Sequence, residues 1–170
     1  AEEHFRDAIT IESGYTEARN NLGRLLIERQ KYKEAETQLK TVTNDLKYQT
    51  PEKGHTNLGL LFLKTNRLPE AREQFLKALR LNRKFCEAHN LLGQTLFLEN
   101  RFSKASEALD RAISVCEKYD EPHYYSALSY ARSGQKAKAI ARLKELMQLY
   151  PSSSYIAESK KLLAELRNDD

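Results

Sequence analysis

The sequence predicts an all-α protein: a right-handed solenoid of helix-turn-helix repeats with a C-terminal capping helix. The main observation is a pattern that returns after 34 residues, His-x-x-Leu-Gly-x-x-Phe at 55–62 and His-x-x-Leu-Gly-x-x-Leu at 89–96. A second observation is that apolar residues within each pattern recur at helical spacing, which places them on one stripe. Neither helix of such a pair can bury its stripe alone, so the units must stack on their neighbours.

Small residues at fixed places explain how the paired helices fit together. Gly59 and Gly93 lie on the first helices, where their size lets an antiparallel partner approach closely. Phe75 and Leu109, on the second helices, fill the space so created. This period and these residue types resemble the tetratricopeptide repeat, whose units stack into solenoids.

We expect one domain over residues 1–170. Residues 1–15 match the second helix of a truncated repeat, so we expect its partner helix to precede Ala1. The step from the first full repeat to the next is 36 residues, which predicts a lengthened joint before Pro51. The full repeats are predicted at 16–51, 52–85, 86–119 and 120–153, followed by the capping helix at 154–167.

Composition disfavours two classes of partner. The chain has 170 residues, 40% hydrophobic and 31% charged, with a net charge of +4. Basic and acidic residues alternate, as at Lys31 to Glu34, whereas a nucleic-acid binder concentrates positive charge on one face. No apolar run approaches the about 18 residues of a membrane span. We therefore expect neither nucleic acid nor direct membrane contact.

Candidate catalytic and metal-binding residues are scattered. His55, His89 and His123 lie 34 residues apart, but equivalent positions of successive repeats are separated by an intervening helix. Helix axes pack roughly 8 to 10 Å apart, too far for one ion to join these rings. The sequence has no nucleophile elbow and no glycine-rich phosphate loop. We expect no metal, no cofactor and no enzymatic activity.

The two cysteines form a disulfide candidate. Cys86 opens the first helix of its repeat and Cys116 closes the second, and in an antiparallel hairpin those two ends are neighbours. In an oxidising compartment they could be bridged, whereas in the cytosol both would be small buried thiols.

Function is expected on the concave face, which the first helices of the repeats line. Along each first helix, the predicted groove positions are polar near the start and become apolar toward the end. Such a surface suits an extended peptide or an amphipathic helix of a protein partner. The alternative is that the leucines only pack on neighbouring repeats. We expect a monomer. The predicted groove residues are Asn20, Arg24, Thr56, Leu60, Leu63, Asn90, Gln94, Phe97, Tyr124 and Leu128.

The Tyr48-x-Thr50-Pro51 joint, together with Cys86 and Cys116, resembles the type IV pilus biogenesis lipoproteins, the repeat pilotins of Gram-negative bacteria. The resemblance implies a scaffold on the periplasmic face of the outer membrane. Its implied partner is a secretin subunit, which such proteins help to reach the membrane and assemble. The lipidated cysteine of that family is absent from this chain, so the membrane would be reached only through an anchor outside it.

The competing class is a cytosolic adaptor or co-chaperone-like module that binds another peptide. At the places where chaperone-binding repeats hold a C-terminal carboxylate, this chain has Glu87 and Leu91, which disfavours that docking mode. The encoded sequence upstream of Ala1 distinguishes the classes. A leader ending in a small-residue box and cysteine favours the pilotin, and an initiator methionine with more repeats favours the adaptor.

Overall fold

The structure is a computed structural model that describes residues 2–11, 15–116 and 118–168. Throughout these residues the regular structure is helical, which confirms the all-α prediction. The ten helices described are α1 (Glu2–Ile11), α2 (Thr16–Glu28), α3 (Tyr32–Asn44), α4 (Pro51–Lys64), α5 (Leu68–Leu81), α6 (Cys86–Leu98), α7 (Phe102–Val115), α8 (Glu121–Arg132), α9 (Lys136–Leu149) and α10 (Ile156–Asn168).

The chain divides into two compact units, residues 1–88 and 89–170, and the division falls within α6. In the first unit α1 packs on α2, α2 packs on α3 and α4, and α4 packs on α5. In the second unit α8 packs between α7 and α9, and α9 contacts α10. The predicted bounds of the repeats and of the cap, and the single domain, stay predictions.

The turn inside each hairpin has one residue with left-handed backbone. These residues are Gln30, Asn66, Asn100 and Gly134, with φ of 59°, 58°, 58° and 76°. Glycine and asparagine adopt this conformation at the lowest cost. Beside Asn66, the N–H of Arg67 donates to the carbonyl of Phe62 at 2.8 Å, which ends α4 in a Schellman motif.

Close helix approach depends on glycine, as predicted. An added Cβ at Gly59 would lie 2.6 Å from Cε1 of Phe75, well inside van der Waals contact. The Phe75 ring is fully buried, with Ala71 and Ala78 buried on the same helix. At α6 the added Cβ of Gly93 would likewise overlap the side chain of Leu109. The predicted small-residue pairing is therefore confirmed in both hairpins.

The described helices are short. The first has 10 residues and the longest have 14. Crossing a bilayer takes about 20 apolar residues. Within the described parts of the chain, no helix combines the length and the apolar character of a membrane span.

Candidate protein-binding site

A chain of polar contacts joins the inner helices of the first unit. Asn57 Nδ2 donates to Asn20 Oδ1 at 2.9 Å, and Arg24 Nη1 donates to Asn57 Oδ1 at 3.0 Å. Arg24 also pairs with Glu87, with Nη1 and Oε1 2.7 Å apart. The side chains of Arg24 and Glu87 are 38% and 36% exposed. The carboxylate of Glu87 thus already pairs with the guanidinium that a ligand carboxylate would need.

Four predicted groove residues are corrected by the structure, because their side chains are buried: Asn20, Thr56, Leu60 and Asn90. Polar identity did not mean exposure at these places. The Asn20 amide is held by Asn57, and the Thr56 hydroxyl donates to the backbone carbonyl of Glu52 at 2.8 Å. Leu60 is 8% exposed, so it belongs to the core. These four side chains therefore lie beneath the surface of the candidate site.

The other six predicted residues keep part of their surface. In the first unit these are Arg24 and Leu63, and in the second they are Gln94, Phe97, Tyr124 and Leu128. Their role in binding stays a prediction. On α6, Gln94 and Phe97 lie one helical turn apart, and so they share a face.

Five aromatic rings of the second unit contact one another and are here called the aromatic cluster: Phe97, Phe102, Tyr124, Tyr125 and Tyr155. The Phe97 ring makes edge contacts with Phe102 and Tyr125, at centroid distances of 5.3 and 6.2 Å. Tyr124 stacks on Tyr155 with centroids 4.9 Å apart and planes 19° apart. Tyr125 touches both of those tyrosines. All five rings are half-buried, so each one packs in the second unit and also shows surface.

The carboxylate of Glu121 fixes one end of the aromatic cluster. Tyr155 donates its hydroxyl to Oε1 at 2.8 Å, while the Asn90 amide and the Tyr119 hydroxyl donate to Oε2 at 2.6 and 3.0 Å. Burial, with the hydrogen bond to Glu121, raises the pKa of Tyr155 above its ordinary value. Tyr155 therefore stays a neutral donor, and the segment before α10 is tied to α8.

Sequence reasoning missed three members of the aromatic cluster. Tyr125 follows Tyr124 directly, Phe102 opens α7, and Tyr155 lies in the range predicted for the capping helix. The available signal was the density of aromatic residues between 97 and 155, which a search restricted to the first helices passes over.

The repeat histidines serve the packing of the hairpins. His55 Nδ1 lies 2.8 Å from Gln74 Oε1, which joins α4 to α5. His123 is buried against the Tyr150 ring, and burial lowers its pKa. Within the described residues, no group of three or more His, Cys, Asp or Glu side chains is placed to hold a metal ion.

Both cysteines are oxidised. Cys86 and Cys116 are disulfide-bonded, and neither is a free thiol. The oxidised form is the one that an oxidising compartment favours.

Three sequence models of the tetratricopeptide repeat match the chain, at residues 1–47, 56–120 and 123–153. The type IV pilus assembly protein PilF of Pseudomonas aeruginosa is 31% identical over 110 residues, which is 65% of this chain and 44% of that protein. The human protein O-mannosyl-transferase TMTC2 is 28% identical over 115 residues, 67% of this chain and 14% of that protein. The chain thus spans less than half the length of either relative.

Solved structures of other proteins have the same fold. The structure of P. aeruginosa PilF superposes with a TM-score of 0.80 at 26% identity, covering 96% of this chain and 72% of that one. PilW, described as a widely conserved type IV pilus biogenesis factor, has the same fold, with a TM-score of 0.81 at 22% identity and coverages of 96% and 74%. YrrB, a repeat protein with an unusual peptide-binding site, matches with a TM-score of 0.74 at 19% identity and coverages of 94% and 81%.

The chain has helical hairpins of this period, and the repeat models match most of it. Together with the aromatic cluster, these features define a protein-interaction scaffold. The chain belongs to the tetratricopeptide repeat family. Within that family it is similar in sequence and in fold to the type IV pilus assembly protein PilF.

Proposed function

We propose that this chain is the repeat region of a pilotin, a non-catalytic scaffold that brings an outer-membrane secretin subunit to its membrane and promotes ring assembly. Two similarities support the proposal: the sequence likeness to PilF and the likeness of fold. The Tyr48-x-Thr50-Pro51 joint and the two cysteines, through which the sequence resembles the pilus lipoproteins, support it further.

The aromatic cluster is the observation that carries the proposal. Half-buried rings combine a large apolar surface with little conformational entropy to lose, and Tyr and Trp dominate binding hot spots for that reason. Phe97 and Tyr124 are held by neighbouring rings, at 5.3 and 4.9 Å, before any partner arrives. An apolar side chain of an extended secretin segment would cover these rings.

A polar group beside the rings suits the main chain of such a segment. Nε2 of Gln94 is a buried donor that has no hydrogen-bond partner among the described residues. An unsatisfied buried donor costs about 1 to 3 kcal/mol, so a partner that supplies an acceptor gains affinity. A backbone carbonyl of an extended peptide, lying across Phe97, would provide that acceptor once the partly exposed Gln94 side chain turns its amide outward.

The proposed location is the periplasmic face of the outer membrane, with a lipid anchor outside this chain. The bonded cysteines favour an oxidising compartment over the cytosol. This observation makes the cytosolic adaptor the weaker of the two alternatives. Separation of cell fractions, with a periplasmic and a cytosolic marker, tests the location directly, and recovery in the cytosol overturns it.

The function is tested in cells that lack the gene and are complemented with the full-length protein. We expect Tyr124→Ala to lower the amount of secretin in the outer membrane and the amount assembled into multimers. Leu76→Ala is the matched control, since Leu76 is an exposed apolar residue of α5 outside the aromatic cluster. Normal secretin assembly without the gene contradicts the pilotin role. If deletion of the gene impairs assembly but Tyr124→Ala does not, the secretin binds at a site other than the aromatic cluster.

A further inference from the structure

The joint between α3 and α4 differs in structure from the joint between α5 and α6. The Asp45 side chain accepts a hydrogen bond from the N–H two residues on (2.9 Å), as Asn82 does at the following joint (3.1 Å). In this correspondence Tyr48 takes the place of Phe85. Phe85 is followed at once by α6, whereas two more residues separate Tyr48 from the start of α4. The two extra residues predicted from the 36-residue step therefore follow Tyr48.

An open pocket of about 570 Å³ lies between this joint and the start of α2. The Tyr48 ring passes over Gly54, where an added Cβ would lie 3.6 Å from Cε1 of the ring. Tyr15, at the start of α2, is 47% exposed. The pocket is lined by Tyr15, Thr16, Glu17, Asp45, Lys47, Tyr48 and Gln49.

Two carboxylates of the pocket are fixed by hydrogen bonds. The Tyr48 hydroxyl donates to Glu17 Oε2 at 2.7 Å, and the Thr16 hydroxyl donates to Asp45 Oδ2. The hydrogen bond from Thr16 lowers the pKa of Asp45, so this side chain is ionised at neutral pH. A carboxylate can accept about four hydrogen bonds, so both groups keep capacity for a ligand.

The charge and shape of the pocket select the ligand. Glu17 and Asp45 outweigh Lys47, which leaves one net negative charge among the lining residues. Tyrosine rings favour a cation that stacks on them, and they also cover an aliphatic stem. Arginine meets both requirements, because its planar guanidinium stacks on aromatic rings and donates several hydrogen bonds to carboxylates in a fixed geometry.

We infer that this pocket binds an arginine side chain of a partner protein, with the guanidinium on Glu17 and Asp45 and the stem against Tyr15 and Tyr48. Leu46, at the tip of the same joint, is 99% exposed, which is unusual for a large apolar side chain. A partner whose arginine enters the pocket would cover Leu46 as well. The site is separate from the aromatic cluster, and the inference does not depend on the pilotin role.

Nuclear magnetic resonance of the 15N-labelled chain tests the inference with N-acetyl-arginine methylamide as the probe. N-acetyl-citrulline methylamide, which has nearly the same shape without the charge, is the matched control ligand. We expect amide shifts at residues 15–17 and 45–49, with the arginine probe binding about tenfold more tightly than the citrulline probe because charged hydrogen bonds are the stronger ones.

Charge variants sharpen the test. Glu17→Gln keeps an acceptor for Tyr48 but removes the charge, and we expect it to weaken arginine binding about threefold. We expect Lys47→Gln to strengthen binding, since it removes the opposing cation. Glu107→Gln is the control, an exposed glutamate of α7 outside the pocket. Equal binding of the citrulline probe, shifts confined to other residues, or unchanged affinity in Glu17→Gln overturns the inference.

Discussion

Gly59 and Phe75 pack so closely that a methyl group at position 59 would lie 2.6 Å from the ring. The ring is fully buried. We therefore expect Gly59→Ala to lower the free energy of unfolding by about 1 to 3 kcal/mol, the usual cost of overpacking. Chemical denaturation followed by circular dichroism measures the change.

A second glycine provides the control for this prediction. Gly134 has a φ of 76°, and an added Cβ there meets nothing within 4 Å. Asparagine occupies the corresponding turns at 66 and 100 and tolerates this backbone, so Gly134→Asn should stay within about 0.5 kcal/mol of the parent. If Gly59→Ala were as stable as Gly134→Asn, the helices would not be held at the observed separation.

Glu121 accepts hydrogen bonds from a buried amide, that of Asn90, and from the hydroxyl of the half-buried Tyr155. Removing its carboxylate takes one acceptor from Asn90, which is completely buried, and the only described partner from the Tyr155 hydroxyl. Glu121→Ala should cost about 2 to 3 kcal/mol because three donors lose this acceptor. Tyr155→Phe should cost only about 1 kcal/mol because it removes a single hydrogen bond and Glu121 keeps its bonds from Asn90 and Tyr119. Equal stabilities of the two variants would contradict the role assigned to the carboxylate.

Alkaline pH should weaken the second unit through Tyr130. Burial, followed by its hydrogen bond to Asp110, raises the pKa of Tyr130 to about 12 from 10.0. Since the folded chain holds this proton more tightly than the unfolded chain, the associated stability is present below pH 10 and is lost as the pH rises toward 12.

The measurement is the free energy of unfolding at a series of alkaline pH values, for the parent and for Tyr130→Phe. The variant should be less stable at neutral pH, because the hydrogen bond to Asp110 is missing. It should also lose less stability on alkalinisation, because one raised tyrosine pKa is gone. A parallel pH dependence of the two proteins would show that Tyr130 titrates normally.

The disulfide should contribute measurably to stability. Closing a loop of about 30 residues typically stabilises a protein by about 3 kcal/mol. We expect a reducing agent, or the double change of Cys86 and Cys116 to alanine, to lower the unfolding midpoint. Protein purified from the periplasm should show no titratable thiol under denaturing conditions, and two titratable thiols would rule out the bridge.

The architecture could be predicted because it repeats. A single contact such as Gly59 with Phe75 appears again 34 residues later as Gly93 with Leu109, so the same spacing is seen twice in one chain. Turn residues agree with the helices on either side, since Asn66 and Asn100 occupy equivalent left-handed positions. Local and long-range signals thus point to the same hairpin.

The binding face could be predicted only in part. Position along a helix says which face a residue shares, but the exposure of that residue depends on which side chains pack over it. Asn20 and Asn90 are buried because hydrogen-bond partners from other helices are available, and no spacing rule reveals those partners. Leu60 is in the core because other side chains cover it, so Leu60→Asp would test folding and not binding.

We propose that the aromatic cluster is the surface that binds a secretin subunit. A photoreactive phenylalanine analogue placed at Tyr124 of the full-length protein, and irradiated in cells, tests this directly. We predict a covalent adduct that contains the secretin subunit, with no such adduct from the same analogue at Leu76. Absence of the adduct from position 124, together with its appearance from position 76, would contradict the account.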